Sequence, residues 1–144
     1  MTISAILNAK KPDLITVTAG TSIEILVHKL AAAGIGAAPV LNADGQVIGI
    51  ISERDIVRGM LKHGAELGQA RVGDLMSANV HTCTVDASVA DAMRLMTVHR
   101  IRHLPVVEKG KLVGIVSIGD VVKDRLQDIE LEANVLRDAL IASH

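Results

Sequence analysis

The chain of 144 residues contains no Phe, Tyr or Trp and a single cysteine, Cys83. Without aromatic rings it lacks the stacking platform with which many proteins hold single-stranded nucleic acid. One thiol cannot form an internal disulfide, which favours a reducing compartment, and we expect the cytoplasm. The formal net charge of -1 provides no basic surface for nucleic acid or for anionic lipid.

Long apolar runs are also missing. No run reaches the roughly 18 residues of a membrane span, and the opening stretch "MTISAILNAKKPD" lacks a signal-peptide pattern. The chain is nevertheless 49% hydrophobic, and its mean hydropathy of +0.40 is high for a monomer. We therefore expect a partner to cover part of its apolar surface.

The sequence does contain an internal repeat. When Pro39 is aligned with Pro105, "APVLNADGQVIGIISERDIV" matches "LPVVEKGKLVGIVSIGDVV", with one residue fewer in the second turn. The match continues upstream, where Thr16 aligns with Thr82. Since neither half of about 60 residues buries much surface alone, we expect the two halves to pack together.

Each half is predicted to contain a short strand around Thr16 or Thr82, a helix, a strand, a tight turn, a strand and a second helix. Apolar residues at i, i+3, i+4 and i+7 predict amphipathic helices over 22–33 and 88–99. The segments "NADG" and "EKG" between apolar runs are typical of hairpin turns. Residues 62–70 are predicted to link the halves, and 72–76 to form a helical turn before the second half.

Each half closes on a serine followed three residues later by an aspartate: Ser52 with Asp55, and Ser117 with Asp120. One interpretation is a helix capping box, which needs no ligand. The other is a nucleotide site, in which the helix N-terminus faces a phosphate and the carboxylate accepts hydrogen bonds from a ribose diol. The two interpretations are compatible.

This order of elements, with "GIISERD" and "GIVSIGD" closing the halves, resembles the cystathionine-β-synthase (CBS) domain family. More specifically it resembles a stand-alone tandem pair, over about residues 8–126. The resemblance implies an α+β fold in which two β-α-β-β-α repeats form a pseudo-two-fold pair, with a long C-terminal helix. We expect the first repeat with an N-terminal helix at 1–70, the second at 71–127, and the helical extension at 128–144.

The resemblance also implies nucleotide-binding residues, because the corresponding aspartates in this family bind ribose hydroxyls and the basic pair before Leu-Pro-Val often contacts phosphate. The strands around Thr16 and Thr82, with the proline-containing strands, would enclose the base. The implied set is Thr16, Ala38, Ser52, Arg54, Asp55, Thr82, Arg102, His103, Pro105, Ser117, Gly119 and Asp120.

The two sites are expected to differ. Arg102 and His103 align with Gly36 and Ala37, and Arg54 aligns with Gly119. Guanidinium groups bind phosphate in a bidentate fork, which favours Arg102 as a phosphate ligand. A solvated basic strand edge that prevents edge pairing is the alternative.

The expected function is therefore an adenine-nucleotide-binding sensor that signals to an unknown regulated protein. AMP or NAD(H) is the preferred ligand, with ATP, ADP or S-adenosylmethionine as further family ligands. We expect no catalytic residue, because no nucleophile motif is present, and no metal site, because His81 and Cys83 lack further ligands at zinc spacing. The rivals are an interaction scaffold and a nucleotide-processing enzyme.

A heptad seam follows the second repeat, which predicts one long helix with an apolar stripe. The stripe could pack back on Ile3, Ile6 and Leu7, or it could pair with a second chain, and we favour a homodimer. The seam residues are Val122, Leu126, Ile129, Ala133, Leu136 and Leu140.

Overall fold

A computed structural model describes residues 1–10 and 14–143 of the protein. The elements follow one another as α1 (Ile3–Ala9), α2 (Ile23–Ala33), β1 (Ala37–Leu41), β2 (Val47–Ser52), α3 (Glu53–His63), a 3-10 helix (Gly64–Gln69), α4 (Val72–Leu75), β3 (Cys83–Thr84), α5 (Val89–His99), β4 (His103–Glu108), β5 (Lys111–Ser117) and α6 (Ile118–Ala142).

The two predicted amphipathic helices are confirmed as α2 and α5. Each begins after a serine whose hydroxyl caps the first turn: Ser22 accepts from the Ile25 amide at 3.3 Å, and Ser88 from the Asp91 amide at 3.0 Å. Their buried faces alternate at helical spacing and cover the adjacent strands. Those faces are Ile23, Leu26 and Leu30 in α2, and Val89, Ala92 and Met96 in α5.

The predicted hairpins are also confirmed. Strand β1 pairs antiparallel with β2, and β4 pairs antiparallel with β5. The turns depend on Gly45 and Gly110, both at φ 78°, a backbone conformation that other residues adopt with strain. Asn42 closes the first turn, because its Oδ1 accepts the amides of Asp44 at 3.0 Å and Gln46 at 2.9 Å.

The leading strands, predicted to be short, are short in the structure. Around Thr16 only a single parallel bridge forms, between Val17 and Val40, and the second repeat has the two-residue strand β3 paired with β4. A turn between Thr18 and Thr21, closed by a 3.1 Å backbone hydrogen bond, ends the extended stretch after Val17. The predicted link is helical: α3 continues to His63 and the 3-10 helix follows it.

Two hydrophobic cores form, one in each repeat, and the short leading helices exchange between them. Helix α1 precedes the first repeat, yet Ile3 and Ile6 are buried in the second core beside Met96. Helix α4 precedes the second repeat, yet Val72 is buried in the first core beside Leu26. Each repeat therefore completes its core with a helix that lies next to the other repeat in sequence.

The long helix α6 is confirmed over Ile118–Ala142, and His144 lies outside the described residues. The packing against Ile3 and Ile6 holds only for its first turn, where Val121 is buried in the same core. From Leu126 onwards the apolar seam is exposed, so packing back does not cover it. In the described part of the chain, no helix combines the length and the apolarity that crossing a membrane requires.

Candidate functional site

Both serine–aspartate pairs form the predicted caps. At the start of α3, the Asp55 Oδ2 atom accepts the Ser52 amide at 2.9 Å and the Ser52 hydroxyl at 3.2 Å. At the start of α6, the Asp120 Oδ2 atom accepts the Ser117 amide at 2.9 Å, and the Asp120 amide donates to the Ser117 hydroxyl at 3.1 Å. Each cap fixes its carboxylate at the point where a strand turns into a helix.

We call the Ser52–Asp55 cap the first corner and the Ser117–Asp120 cap the second corner. A cavity of about 450 Å³ opens at the first corner, between the two repeats. It brings together residues that are about 50 positions apart in the chain: the start of α3 lies on one side and the edge of β4 on the other. Five of the predicted site residues line it, namely Ser52, Arg54, Asp55, Arg102 and His103.

Sequence reasoning missed other residues that line the cavity. Arg58 lies one helical turn after Arg54 on α3, so helical spacing could have identified it. Arg100 ends α5 at φ 54°, and its carbonyl accepts Arg54 Nη1 at 3.5 Å, which joins the two repeats across the cavity. The other lining residues that were missed are Gly36, Ile50, Glu53, Val57, Ser77, Asn79 and Ile101. His81, which belongs to the stretch around Thr82 that was predicted to enclose the base, also lines the cavity.

The cavity carries an excess of positive charge, since four arginines line it against the two carboxylates of Glu53 and Asp55. His103 adds no full charge at neutral pH. Burial lowers the pKa of its imidazole below 6.5, with Lys10 and Arg102 acting in the same direction and Glu53 and Asp120 opposing them. An anionic group is therefore the ligand that this surface favours.

Gly36 permits the close approach of the two repeats at the cavity wall. A Cβ atom at this position would lie 3.2 Å from the Glu53 Oε1 atom and 3.6 Å from His103 Cε1. The Glu53 amide donates to the Gly36 carbonyl at 2.9 Å, which fixes the start of α3 against this segment. A Cβ atom here would require the Glu53 carboxylate to shift by a few tenths of an ångström, whereas its contact with His103 would be an ordinary van der Waals contact.

The second corner differs, because a lysine is bound to its aspartate. Lys10, just after α1, donates from Nζ to Asp120 Oδ2 at 2.7 Å and to the Ile115 carbonyl at 2.9 Å. Burial alone would raise the pKa of Asp120, but the hydrogen bonds from Lys10 and Ser117 outweigh it and lower the pKa. Asp120 is therefore ionised at neutral pH and paired.

The remaining predicted site residues lie away from the 450 Å³ cavity. Thr16 precedes the isolated Val17–Val40 bridge and Thr82 precedes β3. Ser117 ends β5, and Gly119 and Asp120 lie in the first turn of α6. Ala38 and Pro105 are buried in β1 and β4, Thr16 is half-buried, and Thr82 and Gly119 are exposed.

A second cavity, of about 490 Å³, lies between α5 and α6. Its walls include Met93 and Val98 of α5, and Asp124 of α6. Asp124 is only 8% exposed, and its Oδ2 atom has no hydrogen-bond partner among the described residues. An unpaired buried carboxylate oxygen is costly, so this atom favours a hydrogen-bond donor in the cavity.

The histidines and the cysteine form no metal site in the described residues, since no three potential ligands lie close enough together. His81, which lines the 450 Å³ cavity, is instead stacked on His99 with ring centroids 3.7 Å apart. Burial raises the pKa of the Cys83 thiol, which keeps it protonated.

Residues 4–62 and 72–126 match the family described as CBS domain. The chain is 30% identical over 125 residues to the CBS domain-containing protein YhcV of Bacillus subtilis. That match covers 87% of this chain and 88% of YhcV. It is 41% identical over 93 residues to the mitochondrial CBS domain-containing protein CBSX3 of Arabidopsis thaliana. That match covers 62% of this chain but only 45% of CBSX3, which is therefore a considerably longer protein.

Solved structures share the fold. A CBS-domain containing protein from Agrobacterium tumefaciens superposes with a TM-score of 0.82 at 42% identity, covering 87% of this chain and 99% of that one. The CBS domain pair of MJ0100, in complex with 5'-methylthioadenosine and S-adenosyl-L-methionine, has a TM-score of 0.79 at 26% identity, covering 89% and 98%. CBSX2 in complex with AMP has a TM-score of 0.73 at 27% identity, covering 88% and 96%.

The predicted α+β architecture of two repeats and a long C-terminal helix is thus confirmed. Because the family match includes both repeats and solved relatives reproduce their arrangement, the chain belongs to the CBS domain family and contains a tandem pair of CBS repeats.

Proposed function

We propose that the protein is a regulatory module that binds an adenosine nucleotide in the cavity between its two repeats. The observation that carries this proposal is the cavity itself, which joins the Ser52–Asp55 corner to Arg102 and His103. Its volume of about 450 Å³ lies within the range typical of small-molecule sites.

The roles of the residues follow from their chemistry. Asp55 retains unused acceptor capacity after its bonds from Ser52, and a carboxylate with free lone pairs suits the two hydroxyls of a ribose. Arg54 and Arg102 would bind the phosphate, because guanidinium and phosphate form bidentate charge-assisted hydrogen bonds. The roles of Thr16, Ala38, Thr82 and Pro105 around the base remain a prediction.

The positive charge of the cavity lets us rank the candidate ligands by their own charge. Four arginines favour a phosphate-bearing ligand over the sulfonium cation of S-adenosylmethionine. The charge therefore places the phosphate-bearing ligands, AMP, NAD(H), ADP and ATP, ahead of S-adenosylmethionine, and among them we propose AMP or NAD(H). The AMP and S-adenosylmethionine complexes of solved CBS proteins support an adenosyl ligand in general. We infer regulation in the cytoplasm, with ligand occupancy altering the activity of a partner.

The absence of Phe, Tyr and Trp makes the first test simple. The polypeptide absorbs almost nothing at 280 nm, so a band at 260 nm in the purified protein would reveal copurified nucleotide, which mass spectrometry of the released compound identifies. Calorimetric titration with AMP, NAD, ATP and S-adenosylmethionine then ranks the ligands. Binding of none of them would reject the proposal in favour of a scaffold, and turnover of a bound nucleotide would indicate an enzyme.

We further propose that the protein forms a homodimer through α6 and the adjoining cavity between α5 and α6. The seam leucines Leu136 and Leu140 are 67% and 64% exposed, and the Asp124 carboxylate is unpaired. A second copy of the chain would bury the exposed seam, and a donor that it brings to Asp124 would satisfy the unpaired carboxylate oxygen.

A matched pair of variants on the same helix tests the dimer. Leu136→Glu places a charge in the seam, whereas Leu131→Glu places it outside the seam at a leucine of similar exposure, 63%. We expect Leu136→Glu alone to convert the dimer into a monomer in analytical ultracentrifugation. A monomeric wild-type protein, or equal effects of the two variants, would reject this interface.

A further inference from the structure

The helices α1 and α4 occupy equivalent positions in the two repeats, but the side chains that follow them differ. Gly49 of the first repeat faces Met76, the residue after α4, and Gly114 of the second repeat faces Leu7 of α1. The two helices dock through matching backbone hydrogen bonds, from the Ser4 amide to Val85 in the second repeat and from the Gly73 amide to Ala19 in the first. Ser4 and Gly73 are 69 positions apart, as are Leu7 and Met76, so Lys10 corresponds to Asn79, which lines the cavity between the repeats. A neutral amide side chain in the first repeat is thus replaced by an ammonium group in the second.

The edge strands next to the two corners show the consequence. In the first repeat, the backbone of Ser77 exchanges two hydrogen bonds of 3.0 Å with Ile50, and no side chain is needed to satisfy that edge. In the second repeat, the carbonyl of Ile115, the counterpart of Ile50, accepts from Lys10 Nζ at 2.9 Å. The lysine side chain therefore reaches into the second corner along β5.

At that corner the ammonium group of Lys10 is bound to the Asp120 carboxylate, the group that a ribose would need as its acceptor. Asp120 Oδ2 already accepts the Ser117 amide at 2.9 Å and Lys10 Nζ at 2.7 Å. The two side chains are 34% and 24% exposed, so water screens the pair only in part. Among the described residues no ion pair involves Asp55, which faces the open cavity.

We infer that Lys10 limits this protein to one tightly bound nucleotide per chain, by holding Asp120 in an ion pair while Asp55 remains available. The second corner then accepts a nucleotide only when Lys10 is displaced. This inference rests on the proposed function, because it concerns the number of ligands and the order in which the two corners fill.

The test is calorimetric titration of the full chain, freed of copurified nucleotide, with AMP as the probe. We expect one tight site in the wild-type protein and a second in Lys10→Met, whose affinity at the second corner rises by about tenfold, the effect of losing about 1.4 kcal/mol of competing interaction. Lys29→Met, which removes an exposed lysine of α2, is the matched control and should behave as wild type.

Two further variants secure the interpretation. Lys10→Arg retains the cation and should keep a single tight site, whether or not Lys10→Met is less stable. Adding Asp120→Ala to Lys10→Met should remove the new site and leave the first unchanged.

The outcomes separate this inference from the proposed function. One site of equal affinity in wild type and Lys10→Met would refute the role of Lys10 while the nucleotide site stands. Two sites in the wild type, with one of them weakened in Lys10→Met, would show that Lys10 contacts the ligand and would also refute it. No binding of AMP to any variant would overturn the proposed nucleotide site, and this inference with it.

Discussion

Replacement of Asp55 by alanine separates the two tasks that the structure gives to this carboxylate. Asp55 caps α3 through the Ser52 amide at 2.9 Å, and it lines the cavity. Loss of the cap should cost about 1 kcal/mol of the free energy of unfolding. For a chain of 144 residues, that loss corresponds to a fall in Tm of about 3 °C.

The effect on ligand affinity should be larger than the effect on stability. Each hydrogen bond between a charged acceptor and a ligand hydroxyl contributes about 1.5 kcal/mol or more. Two such bonds to a ribose diol amount to about 3 kcal/mol, or roughly a 150-fold increase in the Kd for AMP. Calorimetric titration measures this Kd, and thermal unfolding of the unliganded protein measures the cap.

Asp74→Ala is the matched control. Asp74 performs the same capping task for α4, since its Oδ2 atom accepts the Arg71 amide at 3.0 Å, but it does not line the cavity. We expect a similar fall in Tm and no change in AMP affinity. If the two variants bind AMP with Kd values within about threefold of each other, Asp55 serves only as a cap and the ribose assignment is wrong.

Three further predictions concern other parts of the molecule. Gly49→Ala should lower the free energy of unfolding by about 2 kcal/mol, because its Cβ would lie 2.6 Å from Met76 Sδ and 3.0 Å from the Ser77 carbonyl oxygen. Gly114→Ala should cost less, since its Cβ would meet only the mobile methyl groups of Leu7 at 2.7 and 3.2 Å; urea unfolding compares the two, and an equal loss would contradict this reasoning. Lys10→Met should raise the pKa of Asp120 above its wild-type value, because burial then acts with less opposition; an NMR titration of the Asp120 carboxyl carbon that shows no rise would exclude the ion pair. Because burial lowers the pKa of His103 and a phosphate dianion would raise it again, AMP binding at pH 6.5 should take up protons. Calorimetry in two buffers of different ionisation enthalpy measures this uptake, which should fall in His103→Gln, and an unchanged uptake in that variant would place the titrating group elsewhere.

Local patterns in the sequence determined much of the secondary structure. Apolar spacing and capping serines identified α2 and α5, and the glycine-containing turns identified both hairpins. The serine–aspartate pairs identified both caps, because a capping box depends only on residues three positions apart. These features are local, so one stretch of sequence contains all the information that they require.

The pairing of the short leading strands could not be obtained in the same way. Extended stretches around Thr16 and Thr82 were visible, but a strand needs a partner, and the turn after Val17 limits the first one to a single bridge. Similarly, the seam of α6 predicted a long helix without showing which surface would cover it, and in the structure the seam from Leu126 onwards is exposed.

The sequence predicted that the two sites differ in their basic residues, but only the tertiary structure decided that one of the two aspartates is paired. The sequence placed Ser52 and Ser117 in matching contexts, and it gave Lys10 no visible connection with Asp120, which lies 110 residues later. That contact arises because α1 packs on the second core and carries Lys10 to β5. The amino-acid pattern thus determined what each corner is made of, whereas the exchange of the leading helices, a long-range packing choice, decided which carboxylate is paired and which remains available.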